Sequence, residues 1–138
     1  MTYATQADLE ARFGTDELLA LADRDRDGVA DTAVVAEALA DADNLIDGYV
    51  GTRYALPLAS VPTLLEQLAC DIARYNLYSA HPTEAAKARH DAAIATLKRI
   101  ADGTVTLQVA GVAAATSGDS VQTSGPDRTF NKTNLEGY

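Results

Sequence analysis

The residues best suited to chemistry are gathered at Asp23-x-Asp25-x-Asp27-Gly28-x-x-Asp31. Alternate carboxylates in a tight loop can converge on one hard cation, a glycine permits the sharp turn, and a backbone carbonyl supplies a further oxygen. Asp23, Asp25, Asp27, the Val29 carbonyl and Asp31 thus fall at the ligand positions of a calcium loop, with Gly28 at its turn. The last position, where a bidentate Glu belongs, is held by Val34. Affinity should therefore fall below that of a full EF-hand unless Glu37 or a neighbouring chain supplies the missing oxygens, and Arg24 and Arg26 offset part of the field. Mg2+ suits a multi-carboxylate cage less well than Ca2+. The same residues also read as an acidic turn leading into a helix, since carboxylates favour the positive end of a helix dipole. A bound Ca2+ and a solvated or Arg-paired turn both stay open on the sequence.

Catalysis finds little support. Of the two histidines, His81 precedes a proline and His90 sits among Ala, Lys, Arg and Asp on a face expected to be exposed; neither belongs to a nucleophile–base motif. The sequence has no GxSxG, HExxH, phosphate-binding glycine loop or dinucleotide fingerprint. Cys70, the single cysteine, lies in an apolar helical run and reads as an inert buried thiol, with no intrachain disulfide. Tyr49, Tyr54, Tyr75 and Tyr78 lack the basic groove that base stacking requires and read as packing residues. No enzymatic role is expected.

The elements that must position the acidic loop are helical. Thr5 followed by Asp8 makes a capping-box-like start to a helix over 5–13 that stops at Gly14, and Thr15 caps a second over 15–22. After the loop, Thr32 caps a helix over 32–52 with Val35, Leu39, Ala42, Ile46 and Val50 at helical spacing, and Glu37, Asp41, Asp43 and Asp47 at other positions. Prolines hold 55–62 extended, and Pro62 suits the first turn of a helix over 62–79. Thr83 caps a fifth helix over 83–102, with Gly103 as its stop. Thr104–Val109 alternates and is β-branched, so it reads as a strand in need of a partner. Residues 110–138 read as an extended arm, and Phe130, Leu135 and Tyr138 at its end are apolar anchors that make sense docked on a partner. The expected fold is mainly α: a small bundle of about five helices over 1–103, then a short β-strand and an extended C-terminal arm over 104–138. Leu39, Ile46, Leu65, Leu68, Ile72, Ile94 and Leu97 are the expected core.

The 138 residues suit one core, and the formal net charge of −9 argues against a protein that grips a nucleic-acid backbone. The charge is uneven: residues 1–54 hold twelve acidic and four basic side chains. A repulsive wall of that kind still lets DNA slide past without sticking. No stretch approaches the roughly 20 apolar residues of a membrane span, nor is there a signal-peptide start, so a cytosolic origin is expected.

Several segments, taken in order, carry a resemblance. They are Tyr3-Ala-Thr-Gln-Ala-Asp-Leu9, the Asp-rich loop leading to Ala38-Leu-Ala-Asp-Ala-Asp43, Ile46-Asp-Gly-Tyr49, Arg53-Tyr-Ala-Leu-Pro-Leu58, Val61-Pro62, Leu68-Ala-Cys-Asp-Ile-Ala-Arg-Tyr75, and Ser124-Gly-Pro-Asp-Arg-Thr-Phe130 through Leu135-Glu-Gly-Tyr138. Together they resemble the Mu-like tailed-phage head–tail connector (adaptor, head completion) family. The resemblance implies a structural virion subunit, made in the host cytoplasm and placed in the neck at the head–tail interface. It implies a dodecameric ring of this chain beneath the portal protein, next to tail-side neck and tail completion proteins. DNA would pass through the channel without specific binding. A small calcium-binding interaction module, with the acidic loop as its functional site, is the alternative from a different class.

Overall fold

A computed structural model of the chain describes residues 1–109. Within them the mainly α fold forms as expected, with α1 (Gln6–Phe13), α2 (Thr15–Ala22), α3 (Thr32–Val50), α4 (Thr63–Leu77) and α5 (Glu84–Ala101) in chain order. The expected arm, with Phe130, Leu135 and Tyr138, lies outside the described residues.

Local chemistry explains the helix ends. Thr5 and Asp8 close a full capping box: the Thr5 N–H donates to the Asp8 carboxylate at 2.8 Å, and the Thr5 hydroxyl accepts from the Asp8 N–H. Asp substitutes for the usual Glu because its short carboxylate still reaches back three residues. At α5, the Thr83 hydroxyl accepts from the Ala86 N–H at 3.2 Å. Two expected caps are not used. Gly14 (φ 89°) starts α2 in place of Thr15, and Asp31 starts α3 in place of Thr32, neither with a side-chain cap bond. Asp31 is turned the other way, where its carboxylate accepts from the Arg24 N–H across the loop.

α3 and α4 make the most extensive helix contact, and α5 packs against both. Val35, Ala42, Ile46 and Val50 of α3 face Leu65, Ala69, Ile72 and Ala73 of α4, and Leu97 and Ile100 of α5 close the third side; all are essentially sealed from solvent. Ile94, expected in the core, is only half-buried at its margin. Cys70 is enclosed, and burial pushes its thiol up to about 11, so it stays protonated and unreactive.

The strand expected at 104–109 is reduced to a single bridge residue, Val109. Its neighbours spend their backbone groups on other partners. The Thr104 N–H donates to the Asp102 carboxylate, the Val105 N–H to the Arg99 carbonyl, and the buried Leu107 N–H to the Tyr54 hydroxyl at 2.9 Å. Leu107 and Val109 enter the core, so the segment is an extended strap across the C-terminal ends of α3 and α5. The Asp102 carboxylate also accepts from the Thr104 hydroxyl at 2.6 Å, and Lys87 pairs with Asp91 at 2.8 Å one turn along α5.

Leu68→Ala removes a buried side chain from the α4 stripe and should cost about 2–5 kcal/mol. Chemical denaturation of the two proteins measures this, and an unchanged midpoint would mean that α4 does not carry the core.

Candidate functional site

The acidic loop folds as a compact turn between α2 and α3. Two residues make the turn tight enough, Arg26 at φ 61° and Gly28 at φ 85°, both in the left-handed region that only Gly occupies without strain. The carboxylates then fold inward onto the backbone. Asp23 accepts from the N–H groups of Asp27 and Gly28 at 3.1 and 3.0 Å, Asp25 accepts from Asp27 at 3.2 Å, and Asp27 accepts from Val29 at 2.8 Å.

Three of the five residues picked out by spacing come together. The carboxylate oxygens of Asp23, Asp25 and Asp27 lie within 4.8 Å of one another. Asp31 is not in this group, being held to the Arg24 N–H. Charge accumulates where the three meet. The Asp27 N–H bond pulls the Asp25 carboxyl down, yet lost hydration and the charges of Asp27 and Asp31 leave it raised overall. A cation would relieve that repulsion, and the donor set suits a hard one. Three carboxylate oxygens are half of the six that Ca2+ requires as a minimum, so a bound ion would need further oxygens from the loop, solvent or a second chain.

A second set of carboxylates does structural work that periodicity hid. Asp43, which spacing sets apart from the apolar stripe of α3, is nevertheless buried, and its carboxylate accepts from the Tyr3 N–H at 2.9 Å. One turn on, Asp47 accepts from the Tyr3 hydroxyl at 2.6 Å and from the Met1 ammonium at 2.9 Å. The Met1 sulfur accepts from the Leu58 N–H. These bonds clasp residues 1–4 along α3 and seal Tyr3 and Ala4 into the core. The available signal was a staple: Ala4 and Leu9 sit just before and four residues after the Thr5 cap, and both are buried.

The remaining candidates resolve as packing. His90, expected to be exposed, stacks on Tyr75 with ring centroids 4.0 Å apart. Tyr54 is buried as the acceptor for Leu107. Arg74 lies over the Phe13 ring at 4.6 Å and pairs with Glu17, while Arg12 pairs with Glu66 and Arg89 with Asp71. The Arg12 and Arg74 pairs tie α1 and α2 to α4, and the Arg89 pair ties α5 to it. Among the described residues, no helix is long and apolar enough to cross a membrane.

Asp43 carries the pH dependence of this region. Burial raises its carboxyl above the ordinary value of 3.8, against the opposing pull of the Tyr3 N–H bond. A raised folded-state value means that the fold prefers the protonated form. The resulting stabilisation is complete below 3.8 and is lost as the pH rises through the raised value. Asp43→Asn keeps an acceptor and removes the charge, so at neutral pH it should equal or exceed the parent in stability and flatten the acid-side profile. Asp43→Ala strands the buried Tyr3 N–H and should fall about 1–3 kcal/mol below the Asn variant. Thermal melts between pH 3 and 7 test both, and an Asn variant less stable than the Ala variant would refute the assignment.

The relatives of the chain point one way. The family model described as Bacteriophage Mu, Gp36 matches residues 3–124. Gene product J of Escherichia phage Mu is 40% identical over 104 residues, which cover 75% of this chain and 74% of that protein. The Mu-like prophage FluMu protein gp36 of Haemophilus influenzae is 44% identical over 77 residues, 56% of this chain and 55% of that protein. A match running from the clasp at Tyr3 through every helix leaves one assignment: the chain belongs to the Bacteriophage Mu Gp36 family.

Proposed function

We propose that the chain is a structural subunit of a tailed-phage virion, a head–tail connector copy that assembles as a dodecameric ring under the portal and around the DNA exit channel. Membership of a Mu-phage family over residues 3–124 carries the reading. Several features support it. His90 is stacked on Tyr75 and Cys70 is enclosed in the core, which suits a protein that builds interfaces and performs no chemistry. The net charge of −9 suits a channel wall that DNA slides past. Its partners are copies of itself, the portal protein and the tail-side neck and tail completion proteins, and its place is the virion neck after synthesis in the host cytoplasm.

Electron microscopy of the purified full-length chain, alone and mixed with portal protein, is the direct test. Rings are expected, and monomers under both conditions would overturn the reading. The anchors Phe130, Leu135 and Tyr138 each contribute roughly 1.5–3 kcal/mol if fully buried on a partner. Replacing Phe130 and Leu135 with Ser should therefore abolish association while leaving helicity intact. Loss of helicity along with association would place the anchors against their own subunit.

The convergence of Asp23, Asp25 and Asp27 favours a second, compatible reading, a weak Ca2+ site completed by Asp31, the Val29 carbonyl or a neighbouring chain. Calorimetry on chelator-stripped protein should register heat with millimolar Ca2+ that Asp25→Asn removes. A flat trace would eliminate the site.

A further inference from the structure

We propose that the cleft beside α3 is the receptor for the C-terminal segment of a neighbouring copy, with that copy's Arg128 and Lys132 paired to Glu37 and Asp41 and its Phe130 on the cleft floor. The proposal rests on the self-association reading above and names the surfaces that meet.

The cleft, of about 150 Å³, is lined by Arg24, Val34, Glu37, Ala38, Asp41, Asn76 and Leu77. That volume admits a benzene-sized ring. Val34, Ala38 and Leu77 are the apolar residues of a lining that is otherwise polar, and Glu37 and Asp41 stand exposed at its rim. One helical turn apart, the two carboxylates lie roughly 5–6 Å from each other at Cβ. Neither makes a hydrogen bond or ion pair among the described residues, and α3 contains no basic residue. Arg24 is the single cation of the lining, so the cleft stays net negative.

The chain's own C-terminal sequence matches this pattern. Arg128-Thr-Phe130-Asn-Lys132 sets one aromatic residue between two cations at alternate positions. Bound in extended form, such a peptide presents all three side chains on one face. The larger cleft lined by Ser60–Leu64 and Thr106–Gln108 has no charged residue to match the cations. Reach allows a neighbour as donor. The nineteen residues from Val109 to Arg128 can extend about 60 Å, roughly twice the ~28 Å length of α3. In a ring each copy would give its tail to one neighbour and receive a tail from the other, a heterologous contact that closes by rotation.

The test uses full-length chains with reversed charges. One variant carries Glu37→Lys with Asp41→Lys, the other Arg128→Glu with Lys132→Glu, and circular dichroism confirms that both fold. Sedimentation should show self-association weakened at least about tenfold in each variant alone, because like charges now face each other. An equimolar mixture should recover it, since each cleft then finds an opposite tail. Variants that assemble like the parent, or a mixture that fails to recover, would overturn the docking and leave the ring reading standing. A parent chain that stays monomeric would overturn both.

Discussion

Small side chains at the contact between α3 and α4 are the constraint on which the rest of the molecule depends. Ala42, Ala69 and Ala73 are completely enclosed, and alanines at a helix crossing let the two backbones approach closely. With no Trp and only two Phe in the chain, the core gains burial from many small contacts instead of a few large ones. Such a core tolerates little misalignment, because a void between alanines has no flexible side chain to fill it. α5 can then complete the bundle with Leu97 and Ile100, and the Leu107–Val109 strap can close its lower end.

Close packing of α3 also explains why its acidic residues diverge in role. Asp43 and Asp47 lie on the side where residues 1–4 run, and each finds donors there. Glu37 and Asp41, on the outward side, have none among the described residues. One helix thus carries two kinds of carboxylate, one pair consumed by the subunit's own fold and one left facing outward. A buried carboxylate is costly unless hydrogen-bonded, and the Tyr3 backbone N–H offsets that cost at Asp43.

The acidic loop follows a third pattern. Its carboxylates are neither buried nor unpaired but folded onto the loop's own N–H groups. The same bonds that shape the turn also bring three like charges within 4.8 Å. The loop therefore sets an exposed concentration of negative charge at the start of α3, beside the cleft.

What the sequence determined by itself is local. Helix periodicity and the Thr5, Thr83 and Gly103 signals are short-range physics, so all five helices were legible, as were the enclosed Cys70 and the turn at Gly28. The convergence of Asp23, Asp25 and Asp27 was legible for the same reason: alternate positions in one tight turn cannot avoid each other. What only the tertiary structure decided involves residues far apart in the chain. Asp43 looks like any polar helix position until Tyr3, forty residues away, lies across it. Asp31 leaves the cluster because a backbone N–H on the opposite side of the loop competes for it. Thr104–Val109 has a strand's alternation, but Tyr54 and Asp102 claim its backbone groups before a partner strand can. Periodicity reports which face of an element is apolar; it carries no record of which distant donor will arrive at a given carboxylate, because that depends on how the helices cross.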